Sequence, residues 1–144
     1  MVIRKIDSKD ALQISVLANQ LGYNINEAAV TTQIASVVKH SEHLVFIAIQ
    51  DDKLTGFIHG CKMLRLTSPT FWEICGLVVD RNYRRQGIGK KLVQHLKNSI
   101  EPNINIRVRC NVKRDSAHLF YKDLGYAEKK EQKVFEKQAD SGRL

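Results

Sequence analysis

Proline is nearly absent, with two residues in 144, and glycine is limited to eight. That scarcity rules out flexible linkers, collagen-like repeats and low-complexity disorder. The three cysteines, Cys61, Cys75 and Cys110, stand far apart with no CxxC pair. A disulfide framework and a paired-ligand zinc site are thereby excluded, no metal cluster is expected, and buried free thiols in a reducing cytoplasm are. Long apolar runs are missing as well. The longest uncharged one, residues 44–49, is far too short to span a bilayer. The opening MVIRKIDSKD has no apolar run behind its charges, so no secretory leader is expected.

What is present suits one globular domain with a real core. Apolar residues make up 43% and charged residues 26%, and the chain length allows one domain, taken as residues 1–137 with a polar tail over 138–144. Charge is unbalanced: 23 Lys+Arg against 15 Asp+Glu leave +8. A basic surface attracts anions, whether nucleic acid, acidic lipid or a phosphate-bearing small molecule.

Periodicity gives the elements. Residues 2–6 form a short strand, and Asp7 or Ser8 caps a helix whose Ala11, Ile14, Ala18 and Leu21 share one face. Gly22 ends it, and a second helix runs over about 26–39. Residues 44–49 read as a buried strand. The turn at 51–53 leads into a partner strand over 54–66, broken by Gly56 and Gly60. A strand at 72–79, a helix at 87–100, a strand at 104–110, a helix at 114–124 and a charge-laced strand at 126–135 complete the chain. The order β-αα-βββ-α-β-α-β predicts a mixed sheet with helices on its faces, an α/β or α+β sandwich.

The most informative stretch joins the strand at 72–79 to the next helix: Val79-Asp80-Arg81-Asn82-Tyr83-Arg84-Arg85-Gln86-Gly87-Ile88-Gly89-Lys90-Lys91-Leu92. A helix start offers unpaired N–H groups and about half a positive charge, and glycines let the backbone approach an anion closely. Arg84, Arg85 and Lys90 add charge. A Walker A loop would need Gly at 84 and Ser or Thr at 91, where Arg84 and Lys91 stand. A dinucleotide fingerprint would need Gly or Ala at 92, where Leu92 stands.

Arg84-x-x-Gly87-x-Gly89 behind an apolar strand resembles the acetyl-CoA loop of the GNAT family, the GCN5-related N-acetyltransferases. Downstream, Ala117-His118-x-Phe120-Tyr121-x-x-x-Gly125-Tyr126 resembles that family's second cofactor segment, and the element order agrees over nearly the whole chain. The resemblance implies a GNAT-like mixed, mostly antiparallel sheet and acetyl-CoA as cosubstrate. It implies that the strand before the loop splays from its parallel neighbour and bonds the pantetheine arm along Leu77, Val78 and Val79. The N–H groups of Arg85, Gln86, Gly87, Ile88, Gly89 and Lys90, with the Arg84 side chain, would then hold the pyrophosphate.

The same resemblance makes Tyr121 the general acid toward the departing thiolate. Proton transfer from a phenol near pKa ~10 to a thiolate near ~8.5 is uphill by roughly 2 kcal/mol, so positioning and partial donation are the expected help, on the order of 10²-fold. Glu73 corresponds to the general base of histone-acetylating members. A base is useful because an alkyl ammonium near pKa ~10.4 is only about 0.04% neutral at pH 7. Strand alternation places Glu73 on the side of Cys75, Leu77 and Val79. Asn111, Ser116 and Phe120 fall on the cofactor side, although the family's usual Asn three residues before Ala117 is here Arg114. His118 reads as a helix-surface residue, and His43 and His59 as surface residues on or near the hairpin, with a place beside an acceptor pocket as their alternative. An oxyanion would be met by a strand N–H such as that of Val79.

The implied activity is direct acetyl transfer to a primary amine of a small molecule, without an acetyl-enzyme. Residues 111–121 look particularly like those of aminoalkylphosphonate N-acetyltransferases, and an anionic amine suits a basic protein. A protein lysine or N-terminal acetyltransferase and a non-catalytic acyl-CoA sensor remain open on the same fold. No nucleic-acid or membrane partner is expected, since no helix-turn-helix or aromatic stacking platform is visible. A homodimer is allowed.

Overall fold

The computed structural model describes residues 1–140. They fall into two compact units, Met1–Arg109 and the chain from Cys110 onward.

The first unit is a five-stranded sheet, β1 (Val2–Lys5), β2 (His43–Gln50), β3 (Lys53–Met63), β4 (Phe71–Val79) and β5 (Asn105–Val108), in spatial order β1-β2-β3-β4-β5. Its first three pairings are antiparallel and β4–β5 is parallel. Helices α1 (Ala11–Gln20), α2 (Glu27–Val37) and α3 (Ile88–Ser99) complete it. The mixed, mostly antiparallel α/β class expected from the sequence is the class observed.

Local chemistry sets the boundaries. Asp7 caps the turn before α1, and its own N–H donates to Asp10 Oδ2 at 2.9 Å, a reciprocal capping box. Arg4 closes on the buried Asp10 carboxylate with both nitrogens, at 2.9 and 3.0 Å. The Asn26 side chain caps α2 by accepting from the Ala29 N–H. Asp51 and Asp52 both take left-handed φ, +55° and +57°, the twist a two-residue hairpin needs between β2 and β3.

One face of the sheet carries α1 and α2. Ala11, Ile14, Leu17, Val30 and Ile34 pack with Ile47, Leu54 and Val78. The other face carries α3, with Ile88, Leu92 and Leu96 buried. The two glycines expected to break the 54–66 strand do not break it, for β3 runs unbroken to Met63. They let α3 approach instead. A Cβ on Gly56 would stand 2.9 Å from the Val78 carbonyl oxygen, and one on Gly60 would stand 2.8 Å from Leu96 Cδ1. Glu101, just past α3, ties two strands together by accepting from Lys62 Nζ at 2.7 Å and Trp72 Nε1 at 2.9 Å.

The second unit contains α4 (Asp115–Asp123), closed by Gly125 at φ +91° with the Tyr126 N–H returning to the Tyr121 carbonyl at 2.9 Å. The strand expected over 126–135 does not form. Residues 127–133 (AEKKEQK) offer no apolar face whose burial would offset the cost of ordering them, and Val134 and Phe135 are left exposed. Of the expected tail, residues 138–140 are exposed and 141–144 lie outside the described residues.

Candidate active site

Strand β4 ends in a braced turn. Asp80 is buried; its N–H donates to the Thr55 carbonyl at 2.7 Å, and its carboxylate accepts from the Asn82 N–H at 2.9 Å and pairs with Lys53 at 3.3 Å. Burial alone would raise its pKa, yet the Asn82, Lys53 and Gln20 contacts outweigh that and hold it below the usual carboxylate value. Gln20, the last residue of α1, accepts from the Arg81 N–H at 3.1 Å through its side chain and from Arg81 Nη2 at 3.1 Å through its carbonyl. The turn is thus fixed to both the sheet and α1.

Beyond it, Arg85 takes a left-handed φ of +63° and Gly87 one of +78°. Gly87 is the cap residue of α3, and no side chain caps the helix. No acidic residue stands in the first turn. The N–H groups of Ile88, Gly89 and Lys90 therefore meet the conditions for an anion: uncapped, at the positive end of the helix, and flanked by the exposed Arg84 and Arg85. Gln86 is held by Gln50, whose Nε2 donates to Gln86 Oε1 at 3.1 Å. This arrangement suits a diphosphate.

The splay expected of β4 is present. β5 pairs only with residues 71–74 of β4, so from Cys75 to Val79 that side of the strand has no strand partner among the described residues. Leu77, Val78 and Val79 lie on this free edge. The departure coincides with a register shift against β3: Gly60 pairs with Ile74 and His59 with Gly76, leaving Cys75 as the extra residue of a bulge.

The bulge corrects the expected alternation. Glu73 does not share a face with Leu77 and Val79. It pairs with Cys61, and it shares the α1–α2 face with Gly76 and Val78, because one inserted residue inverts the parity. Its Oε1 stands 3.0 Å from Arg109 Nε but off line, so this buried oxygen has a charge partner and no hydrogen bond.

The same face gathers groups from three strands. His43 on β2 pairs with Cys61 on β3, and His59 lies two residues along β3. His43 Nδ1 and His59 Nε2 are 2.9 Å apart, and Cys61 Sγ is 3.9 Å from His43 Nε2. Burial, then the neighbouring His43, lowers the His59 pKa, so its ring is neutral at pH 7. Although the residue is exposed, partial desolvation of the Cys75 sulfur, then the nearby Cys61 and Glu73, push its thiol up to about 12, which makes it a poor nucleophile. None of the three cysteines is fully buried as expected: Cys61 and Cys110 are half-buried and Cys75 is exposed.

In the second unit, Asn111 turns the chain into α4. Its Oδ1 accepts from the Lys113 N–H at 3.0 Å, and its carbonyl meets His118 Nε2 at 2.9 Å. His118 is therefore more than a helix-surface residue. Ser116 is exposed in the first turn, and Phe120 stands edge-on to Tyr121 with ring centres 5.0 Å apart. Tyr121 is buried. Desolvation, with Cys110 and Tyr126 adding to it and Arg114 opposing, raises its pKa well above an ordinary phenol. A phenol raised in this way is a weaker acid than an ordinary one and gives up a full proton less readily than it offers a hydrogen bond.

Sequence reasoning named His43 and His59 without joining them to each other or to Cys61. A two-residue turn at 51–52 by itself would set 43 opposite 60 and 45 opposite 58; a register shift between Ala48 and Ile49 moves them to 61 and 59, and the sequence carried no sign of that shift. The Glu73–Arg109 pair carried no signal either.

A strand freed along one side, running through a left-handed turn into uncapped helix amides, is an arrangement that an elongated anionic ligand would fit. The chain belongs to the GNAT acetyltransferase family: the family model described as "Acetyltransferase (GNAT) domain" matches residues 11–138, and the chain is thus an N-acetyltransferase. None of the curated proteins matches it in sequence. Solved structures share the fold. An aminoglycoside 6'-N-acetyltransferase from Acinetobacter baumannii is 16% identical with TM-score 0.83, over 96% of this chain and 99% of that one. The corresponding enzyme from Acinetobacter haemolyticus is 16% identical with TM-score 0.79, over 97% and 100%. A GNAT family acetyltransferase from Staphylococcus aureus is 22% identical with TM-score 0.74, over 96% and 98%.

Proposed function

We propose that this chain transfers the acetyl group of acetyl-CoA to a primary amine of a small molecule by direct attack on the thioester. The observation that carries the reading is the junction of β4 with α3, where a strand edge without a partner leads into amides that no side chain caps. Leu77, Val78 and Val79 would bond the pantetheine arm. The N–H groups from Arg85 to Lys90 and the Arg84 side chain would hold the pyrophosphate, with Asn111, Ser116 and Phe120 also on the cofactor side. The Tyr121 hydroxyl is assigned to the departing sulfur. Glu73, expected from the sequence to be the general base, is engaged by Arg109 through Oε1 and is assigned to the acceptor's ammonium through its other oxygen. The acetyltransferase unit is taken as residues 1–137, working in the cytoplasm, where its three thiols stay free.

Two acceptor classes lead. The likeness of residues 111–121 to aminoalkylphosphonate enzymes suggests an anionic amine, and the names of the structural neighbours suggest aminoglycosides. A net charge of +8 favours the anionic class over a polycation. The test combines calorimetry with CoA and thiol release from acetyl-CoA against aminophosphonates, aminoglycosides, polyamines, amino acids and basic peptides. Binding of CoA with turnover of one small amine is the expected result. No heat with CoA, or turnover of peptides alone, refutes the reading.

A further inference from the structure

Several groups on the α1–α2 face around His59 lie outside the roles assigned above. We infer that His59 is the catalytic base that takes the proton from the acceptor amine, with His43 as its positioning residue. The inference rests on the acetyl-transfer reading and adds to it the group that moves the proton.

Position is the first argument. His59 pairs with Gly76, one residue from Leu77, where the assigned thioester edge begins. Glu73 pairs with Cys61, two residues of β3 farther away, about 7 Å along the strand. His59 is thus the nearer of the two to the reacting end of β4. One oxygen of Glu73 is also taken up by Arg109, whose Nε stands 3.0 Å from Oε1.

Tautomers are the second argument. Proton acceptance by His59 needs the tautomer that donates through Nε2 to His43 Nδ1 across the 2.9 Å contact, which leaves His59 Nδ1 with its lone pair. Neutral and half-buried, that nitrogen is a base. The titratable neighbours are His43 on β2 with His40 beside it, Cys61 on β3, and Cys75 and Glu73 on β4, the last neutralised by Arg109.

The step balances. A bound R–NH3⁺ gives one proton to His59 Nδ1, and the nitrogen lone pair forms the bond to the acetyl carbon. The C–S bond breaks with its electron pair left on sulfur, the second nitrogen proton ends on that thiol, and imidazolium returns its proton to solvent.

The test compares wild type, His59→Gln, His43→Gln and Glu73→Gln. Acetyl-CoA is supplied with aminomethylphosphonate, kanamycin or spermidine, and separately with hydroxylamine, which is already unprotonated at neutral pH. For the alkyl amine that wild type uses, His59→Gln is expected to lower kcat by about 10²-fold or more and to abolish the acid limb of the kcat–pH profile. Its hydroxylamine turnover should stay within a few-fold, and CoA should still raise its Tm, which separates chemistry from misfolding. His43→Gln should move the acid limb, and Glu73→Gln should raise KM more than it lowers kcat. An unchanged profile in His59→Gln, or an equal loss with both kinds of amine, overturns the inference alone. Wild type that binds CoA but releases no thiol with any of these amines overturns the transfer reading, and the role of His59 with it.

Discussion

The approach of α3 to β3 can be tested with three glycines that differ only in what a methyl group would meet. At Gly76 the nearest atom to an added Cβ is Phe57 Cε2 at 3.8 Å, ordinary contact. At Gly60 the Cβ would lie 2.8 and 3.0 Å from the two δ-methyls of Leu96, a side chain with no exposed surface. At Gly56 it would lie 2.9 Å from the Val78 carbonyl oxygen and 3.3 Å from both Ile88 and Leu92. Overpacking a closed core costs about 1–3 kcal/mol, so Gly60→Ala should fall in that range and lower Tm by several degrees. Gly56→Ala should cost more, since a strand carbonyl has no rotamer to escape into. Gly76→Ala should stay within about 0.5 kcal/mol. Leu96→Ala alone should cost about 2–5 kcal/mol for the cavity. Because the new methyl fills that cavity, Gly60→Ala with Leu96→Ala should be cheaper than the sum of the two by ~1 kcal/mol or more. Urea unfolding at pH 7 measures all of these. The helix that Gly60 admits also carries the amides at 88–90, so Gly60→Ala should weaken CoA binding by calorimetry as well. Strict additivity of the pair, or equal effects at all three glycines, refutes the packing argument.

Tyr121→Phe should lower kcat on the order of 10²-fold with little change in amine KM, read by thiol release; an unchanged kcat removes Tyr121 from the chemistry. Glu101 is held at a pKa of about 2, below its usual 4.5, first by the Lys62 hydrogen bond and then by that of Trp72. A depressed carboxylate contributes stability above its unfolded pKa and loses it as pH falls through the folded one, so urea midpoints should drop between pH 4.5 and 2 and drop less in Glu101→Gln. Gly87→Ala meets no atom within 4 Å but must hold φ near +78°, so it should cost about 1 kcal/mol and weaken CoA binding through backbone strain alone. Arg85→Gly relieves the left-handed φ of +63° while removing a charge, so Tm should rise as CoA affinity falls.

Patterning made the helices and most strands legible, because α1 and α3 bury one face each while the middle of β2 is a continuous apolar run buried on both. The turn proposed to hold the pyrophosphate was legible for a different reason: close approach of backbone to an anion would constrain residue type at Gly87 and Gly89. The strand expected at 126–135 failed because Tyr126, Val134 and Phe135 bracket a stretch that has nothing to bury. Gly56 and Gly60 were misread as breaks, since a missing side chain looks the same whether it bends a strand or admits a helix. The side on which Glu73 points was beyond sequence. A bulge is a one-residue mismatch between two strands, and neither strand shows it alone.

That single inserted residue, Cys75, accounts for much of what the candidate site can do. As a bulge it keeps Glu73 on the α1–α2 face with Gly76 and Val78, where Arg109 meets it. It coincides with the point where β4 leaves β5, so the free edge starts at the bulge. And it brings His59, rather than Ile58, opposite Gly76 at the head of that edge. Deleting Cys75 should remove the bulge, leave Glu73 on the α1–α2 face with Gly76 and Val78, and carry the β4–β5 ladder farther along. The variant would then unfold like an ordinary sheet protein while losing CoA-dependent stabilisation. Retained CoA binding in such a deletion would mean that the edge is made by something other than the bulge.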